Sequence, residues 1–398
     1  MLRTAESSGP RPAAELLTRG SVKGFTPSMT VRLRGLCWDH PRCVRPMAAA
    51  AEAYRAVRPD VVVEWDARPL ARFNDQPVWQ VAGGFDLIFV DHPMTGAVAG
   101  RDALVPLDTV LDAGELDRVG ALSVHGGAYT WGGHRWALGV DAACQVAAFR
   151  ADRLGADEVP ATWDDVLALA KSAPGSVALP LYPSDAICGL MSLSANASLA
   201  AGERPVWVHP HGAEMLVELA RLVDPVCFDR NPPALLDAMA GESEIAYVPL
   251  VFGYANLSRP PLRFADVPGV DGRPRGAVLG GAGLGVFPDS RHVADAAAFA
   301  AWCMGTGVQR DVLLEAGGQP GNRLVWDDPT ADEVAGGFLS ATRRSIDEAY
   351  LRPRERWWPE FQRDGGRLLV RLLRDGAPPG RIVEELTGLA VRAEEARR

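Results

Sequence analysis

The apolar positions of the chain fall into short continuous runs separated by stretches with helical spacing, and their order predicts alternating strands and helices. Residues 33–38, Leu-Arg-Gly-Leu-Cys-Trp, read as a first strand. An alanine-rich segment from Pro46 to about Val57 follows, with Met47, Ala51 and Tyr54 on one helical face. Pro59-Asp60 ends that helix, residues 61–65 form a second strand, and a short helix around 75–81 leads through Gly83-Gly84 to a third strand at 86–90. The third run, Asp-Leu-Ile-Phe-Val, is too short for a helix and apolar enough to be buried on both faces. A β-α-β-α-β order implies a parallel, right-handed, doubly wound lobe.

Further on, Tyr129-Thr130-Trp131-Gly132-Gly133-His134-Arg135-Trp136 predicts a hairpin turning at the two glycines, and 139–149 a long strand that runs out of the first lobe. Thr162 with Asp165 three residues on is a capping box. From 177 to 248 short strands (177–179, 245–248) alternate with helices near 185–199, 212–223 and 233–240, a second α/β lobe. The glycine-rich run 276–287 lacks the order and the following helix of a dinucleotide loop, so it reads as paired strands in close backbone contact. The rest is helical, at 292–304, 307–316, 331–341, 358–373 and 380–397, with a break at Pro353.

Two strand ends carry the same word. The first run hands over to Asp39-His40-Pro41-Arg42 and the third to Asp91-His92-Pro93, and Pro forces the chain off the sheet at both. The carboxyl ends of strands in an open parallel sheet carry the ligand-facing loops, so two acid-imidazole pairs are expected on one rim. The plain structural alternative is that each Asp caps the helix that follows it.

Size and charge narrow the class. With 398 residues, two lobes are expected, and 47% apolar residues suffice for sizeable cores. A net charge of −9, dispersed along the sequence, argues against nucleic acid or anionic membrane as the main partner and leaves a small-molecule ligand. No stretch reaches the length of a membrane span. The six cysteines, Cys37, Cys43, Cys144, Cys188, Cys227 and Cys303, show no CxxC spacing and are expected to be reduced, with a Cys37–Cys43 disulfide as the less favoured alternative. Residues 1–28 read as a disordered leader without a signal-peptide core, which places the chain in the cytoplasm unless its true start lies elsewhere, in which case it is extracellular or membrane-associated. Neither a nucleophile elbow nor a P-loop is present. His209-Pro210-His211 reads as a surface turn before a helix, so no metal and no cofactor is expected.

With these residues in hand, the chain resembles the extracellular solute-binding proteins of ABC importers, in particular the carbohydrate-binding group related to maltose-binding protein. The likeness rests on the order of Gly84–Pro93 and Ala103–Asp108, Tyr129–Gly133 and Trp136–Asp141, Pro160 with Thr162–Asp165, Gly241-Glu242 before Ile245–Tyr247, Gly280-Gly281, and Gln319-Pro320, and covers nearly everything from Met29 on. It implies an α/β, two-lobed periplasmic-binding-protein-like fold of type II with a ligand cleft between the lobes. Lobe 1 would comprise 29–140, lobe 2 residues 141–287, and 288–398 would return to lobe 1 with C-terminal helices packing across both. The family binds sugars by stacking on aromatic rings and by hydrogen bonds from polar and charged side chains. An ABC permease would be its partner only if the chain is exported.

The candidate ligand-binding residues are Trp38 as a stacking platform, Asp39, His40, Asp91 and His92 on the rim, and Arg42 as a clamp for a carboxylate or phosphate. Asp141 and Gln145 at the lobe crossing contact ligand or stabilise a hinge, and Tyr247 and Tyr254, followed by Asn256 and Arg259, approach from the second lobe. Two functions follow. One is a binding protein for a carbohydrate-like molecule or a polar organic acid. The other is a cytoplasmic enzyme on the same scaffold, an isomerase, lyase or hydrolase, in which Asp39, His40, Asp91 and His92 move protons.

Overall fold

The computed structural model describes residues 30–397 apart from Ala82 and Glu242. The leader expected at 1–28 lies outside the described residues. Strands β1 (Val31–Trp38), β2 (Val61–Arg68) and β3 (Leu87–Val90) are parallel, with β1 in the middle and in register with β2 from Val31 opposite Val61 to Trp38 opposite Arg68. Arg32 and Arg34 of β1 face solvent while Leu33 is buried, and from Gly35 to Trp38 every position is buried as both faces become covered. The helix Pro41–Val57 starts three residues after β1, with Cys43, Met47, Ala50 and Tyr54 on its buried face. Met47 and Tyr54 share a core with Leu33, Phe89 and Phe299.

After the two-residue hairpin strands β4 (Thr130–Trp131) and β5 (His134–Arg135) comes β6 (Leu138–Arg150), buried at all 13 positions. Its first half pairs with β9 (Leu279–Val286), which lies antiparallel between β3 and β6. Its second half, from Gln145, pairs with β7 (Tyr247–Phe252) and β8 (Leu262–Ala265) of the second lobe. One strand thus belongs to both lobes, and the sheet order is β2-β1-β3-β9-β6-β7 with β8 also on β6. The second lobe packs around the helix Pro183–Ala200, which is buried along nearly its whole length, with Pro210–Leu222 and the amphipathic helix Trp358–Arg374 against it.

Several elements differ from expectation for local reasons. The short helix before β3 lies at Leu70–Asp75, because Pro77 closes it and leaves only a single turn at Val78–Gln80. The glycine-rich run is one strand, β9, whose partners come from distant parts of the chain. Gly336 and Gly337, at φ 63° and 78°, split the helix expected over 331–341 into Pro329–Val334 and Phe338–Ala341. The strand expected at 177–179 is reduced to a single bridge from Val177 to Tyr247. The capping box of Thr162 and Asp165 is formed, and all six cysteines are free and buried.

Gly281 of β9 sits opposite β6 at φ 91°, and a Cβ added there would fall on the Asp141 carbonyl oxygen and within 2.9 Å of His125 Nε2. Both the backbone conformation and the contact require glycine. We expect Gly281→Ala to cost about 3 kcal/mol in urea denaturation and Gly376→Ala, at φ 69° but in open space, only about 1 kcal/mol. Equal losses would show that the close approach at the crossing contributes nothing.

Candidate functional site

The ends of β1 and β3, the crossing strands and the second lobe enclose a cavity of about 270 Å³. Trp38, Arg42, Asp91, Asp141 and Tyr254 line it; Asp39, His40, His92, Gln145 and Tyr247 do not. Trp38 packs against Phe73 and Phe89, at ring distances of 5.1 and 5.3 Å, and is 5% exposed, so little of its ring is offered to the cavity.

The first Asp-His word is spent on starting a helix. Asp39 is exposed, and His40, not the acid, caps Pro41–Val57 by accepting the Arg42 amide at Nδ1, 3.1 Å. The proton of its neutral ring is therefore on Nε2. The ring leans on Tyr254 at 4.9 Å, and burial together with Arg42 lowers its pKa to about 4.

Arg42, 6% exposed, turns into the lobe junction. Its Nε and Nη2 bind the two Asp141 oxygens at 2.8 and 2.5 Å, and its Nη1 donates to the Gly253 carbonyl at 2.7 Å. The guanidinium carbon lies 5.1 Å from the centre of the Tyr254 ring. Burial pushes the Asp141 carboxyl upward and the guanidinium opposes it, while Asp141 more than restores the charge that burial takes from Arg42.

The second word has an equivalent pair on one side only. Burial alone would raise the Asp91 carboxyl, but Arg352 and the neighbouring imidazole bring it down to about 2. Arg352, 3% exposed, places Nη2 at 2.7 and 2.9 Å from the Asp91 oxygens and donates Nε to the Leu279 carbonyl at 3.2 Å. His92 is sealed behind this pair at 0% exposure. Its Nδ1 is 3.3 Å from Asp91 Oδ1 but too poorly aligned for a hydrogen bond, and its Nε2 has no partner among the described residues. Burial, then Arg352, lower its pKa to about 3. Beside it His125 donates Nε2 to the Gly280 carbonyl at 3.1 Å, so its Nδ1 is unprotonated. Neither that nitrogen nor the Tyr129 hydroxyl has a hydrogen-bond partner among the described residues. Burial lowers His125 to about 4.

Gln145 accepts from Ser192 Oγ at 2.6 Å inside the second lobe, and Tyr247 is buried in that lobe's core with its hydroxyl toward the Pro160 carbonyl, 3.5 Å. Sequence reading missed Tyr182 and Asp185 at the start of the Pro183–Ala200 helix, Phe252 at the end of β7, Arg352, and Gln362 on the Trp358–Arg374 helix. The Tyr182-Pro183 and Arg352-Pro353 junctions were the available signals, since Pro marks where an element begins or the chain turns.

Two α/β lobes sharing long strands, with a ligand-sized cavity at their junction, define a two-lobed binding protein of the periplasmic type. The chain belongs to the bacterial extracellular solute-binding protein family, whose model matches residues 70–332. No curated protein matches it in sequence. Among solved structures it is similar to an ABC-transporter solute-binding protein of Agrobacterium radiobacter K84 in complex with ribitol, with 18% identity over 92% of this chain and 99% of that one and a TM-score of 0.74. It is also similar to maltose-bound MalE3 of T. maritima (16% identity, 91% of this chain, 100% of that one, TM-score 0.72). A third is the GacH receptor of Streptomyces glaucescens, solved unliganded and with acarbose (16%, 91%, 98%, TM-score 0.71). At such identities the likeness carries the fold.

Removing one partner of the Arg42–Asp141 pair strands the other charge. Arg42→Met and Asp141→Leu are each expected to cost about 3–5 kcal/mol in urea denaturation, and the double variant much less than the sum. Additive losses would show that the pair is not coupled. Acid should also weaken the fold. Because burial lowers the pKa of His92 and His125 from 6.5 to about 3 and about 4, the unfolded chain binds more protons below pH 6.5. Their contribution is complete above that pH and is lost as pH falls, by about 2 kcal/mol each between pH 6.5 and 5. His40, lowered to about 4, adds to the same slope, so His92→Leu should remove about a third of it, measured as stability against pH; an unchanged slope would place the titration elsewhere.

Proposed function

We propose that the protein binds a neutral polyhydroxylated molecule, a sugar or polyol, in the cavity between its lobes and releases it unchanged. The observation that carries this is that the three arginines lining the cavity are already balanced by carboxylates, Arg42 by Asp141, Arg352 by Asp91 and Arg363 by Asp364. An organic acid would have to compete with those carboxylates. A hydroxyl group need not, because it both donates and accepts: each guanidinium keeps N–H groups beyond those it uses here, and each carboxylate keeps lone pairs. Tyr182, Phe252 and Tyr254 offer rings for the apolar faces of such a ligand. The cavity is near the small end of the usual range of roughly 300–1,000 Å³, which suits a single sugar or polyol better than a long oligosaccharide. Ribitol, tagatose and mannitol are the ligands of similar solute-binding proteins.

The acid/base alternative finds little support, since neither imidazole of the two Asp-His words lines the cavity and both are held neutral. The strand pairing supports lobe changeovers inside β6, close to residue 141, and at the start of β9, some residues before 287. The partner in this reading is an ABC permease met outside the membrane. Cell fractionation of the full chain separates that from a cytoplasmic location.

Calorimetric titration with ribitol, mannitol, tagatose and citrate, with NMR of the recovered compound, tests the reading. At least one neutral compound should bind saturably and return unchanged. Tyr182→Ala, which removes a ring 39% exposed, should weaken binding about tenfold with little change in melting temperature. Citrate binding that is lost in Tyr182→Ala and is tighter than that of every neutral compound would overturn the neutral-ligand reading, and a new product would reinstate the enzyme.

A further inference from the structure

We propose a second binding site, for a small molecule carrying a phosphate or carboxylate, in a pocket between Arg45 and Arg259. The pocket, about 360 Å³, is distinct from the ligand cavity. Pro41 and Arg45, one helical turn apart on the Pro41–Val57 helix, form one side, and the turn from Ala255 to Arg259 after β7 forms another. Arg42 and Tyr254, which line the ligand cavity, are sequence neighbours of residues in these two walls.

What singles the pocket out is unspent charge. The side chains of Arg45 and Arg259 make no hydrogen bond or ion pair with any described residue, and they line the same pocket from different lobes. Glu315 is the one carboxylate among the lining residues and is paired with neither arginine. Two cations against one anion leave the pocket positive, and the N-terminus of the Pro41–Val57 helix adds partial positive charge on the same side. The first-turn amides are already taken, since those of Cys43 and Val44 donate to the His40 carbonyl and that of Arg42 to His40 Nδ1. Recognition therefore falls to the guanidinium groups, whose planar forks suit oxyanions. Asn256 lies in the same turn and lines the pocket.

An oxyanion held by both arginines would tie the first-lobe helix to the second-lobe turn. Its binding would then be linked to the lobe arrangement that also shapes the ligand cavity.

Inorganic phosphate and citrate are the probes, titrated against the full chain at constant ionic strength balanced with chloride and read by calorimetry and melting temperature. The wild type should bind at least one of them saturably. Arg45→Gln and Arg259→Gln should each weaken that binding about tenfold, the double variant should abolish it, and Glu315→Gln should tighten it several-fold. Tighter binding of phosphate or of citrate through both arginines supports the site and identifies the oxyanion. Both arginines are exposed and unpaired, so the variants are expected to fold, with circular dichroism as the check. Absence of saturable binding in the wild type, or binding that survives in the double variant as an adventitious ion only, would overturn the proposal. The double variant leaves the ligand cavity intact, so this result does not depend on the sugar-binding reading.

Discussion

The junction between the lobes depends on one buried ion pair. Arg42 leaves the first turn of the helix after β1, meets Asp141 on the strand that runs through both lobes, and reaches the carbonyl of Gly253 just beyond β7. Three segments far apart in sequence are tied by one guanidinium. Taking both charges out of water costs several kcal/mol per ion, and the bidentate geometry with a third acceptor offsets much of it. What the pair supplies is specificity of arrangement. If the Gly253 loop moved away, one guanidinium N–H would lose its partner inside the protein, so the observed placement of the second lobe is favoured over displaced ones.

Arg352 repeats this logic from the other end of the chain. It joins Asp91, at the end of β3, to the Leu279 carbonyl, where β9 begins. The backbone around it is anchored too: the Arg354 carbonyl accepts from Gly96, and Tyr350 exchanges backbone hydrogen bonds with Ala277 and Leu279. The segment that introduces the C-terminal helices is therefore part of the cavity wall. Behind it, His92, His125 and Tyr129 occupy space that apolar side chains could fill, at the expense of buried polar atoms without partners.

The sequence made the architecture legible more readily than the site. Continuous apolar runs bounded by Pro and Gly located β1, β2 and β3, and the capping box located the helix at Trp163–Ser172, because those signals are local. The single strand β9 was read as a pair because its partners lie far away in the chain. Among the candidate ligand residues, Arg42, Asp141 and Tyr254 come together at the cavity, yet nothing in their spacing revealed that Arg42 would be consumed by Asp141, 99 positions away. The repeated Asp-His word invited a symmetrical reading that the surroundings break. One imidazole caps a helix and the other is enclosed, and the two acids differ because only Asp91 has an arginine delivered to it, from residue 352.

Charge balance then links fold to function. A cavity whose cations were unpaired would attract anions before any shape was tested, and would pay for the buried charge whenever it stood empty. Here each arginine is neutralised by a carboxylate that the fold itself brings, so the empty site is stable and the field inside is that of alternating donors and acceptors. Such a surface discriminates through hydrogen-bond direction and ring contact, both of which a neutral polyol satisfies. The same reasoning applies to Arg45 and Arg259, because two arginines that share a pocket without a carboxylate partner leave a positive field for something from solution to fill.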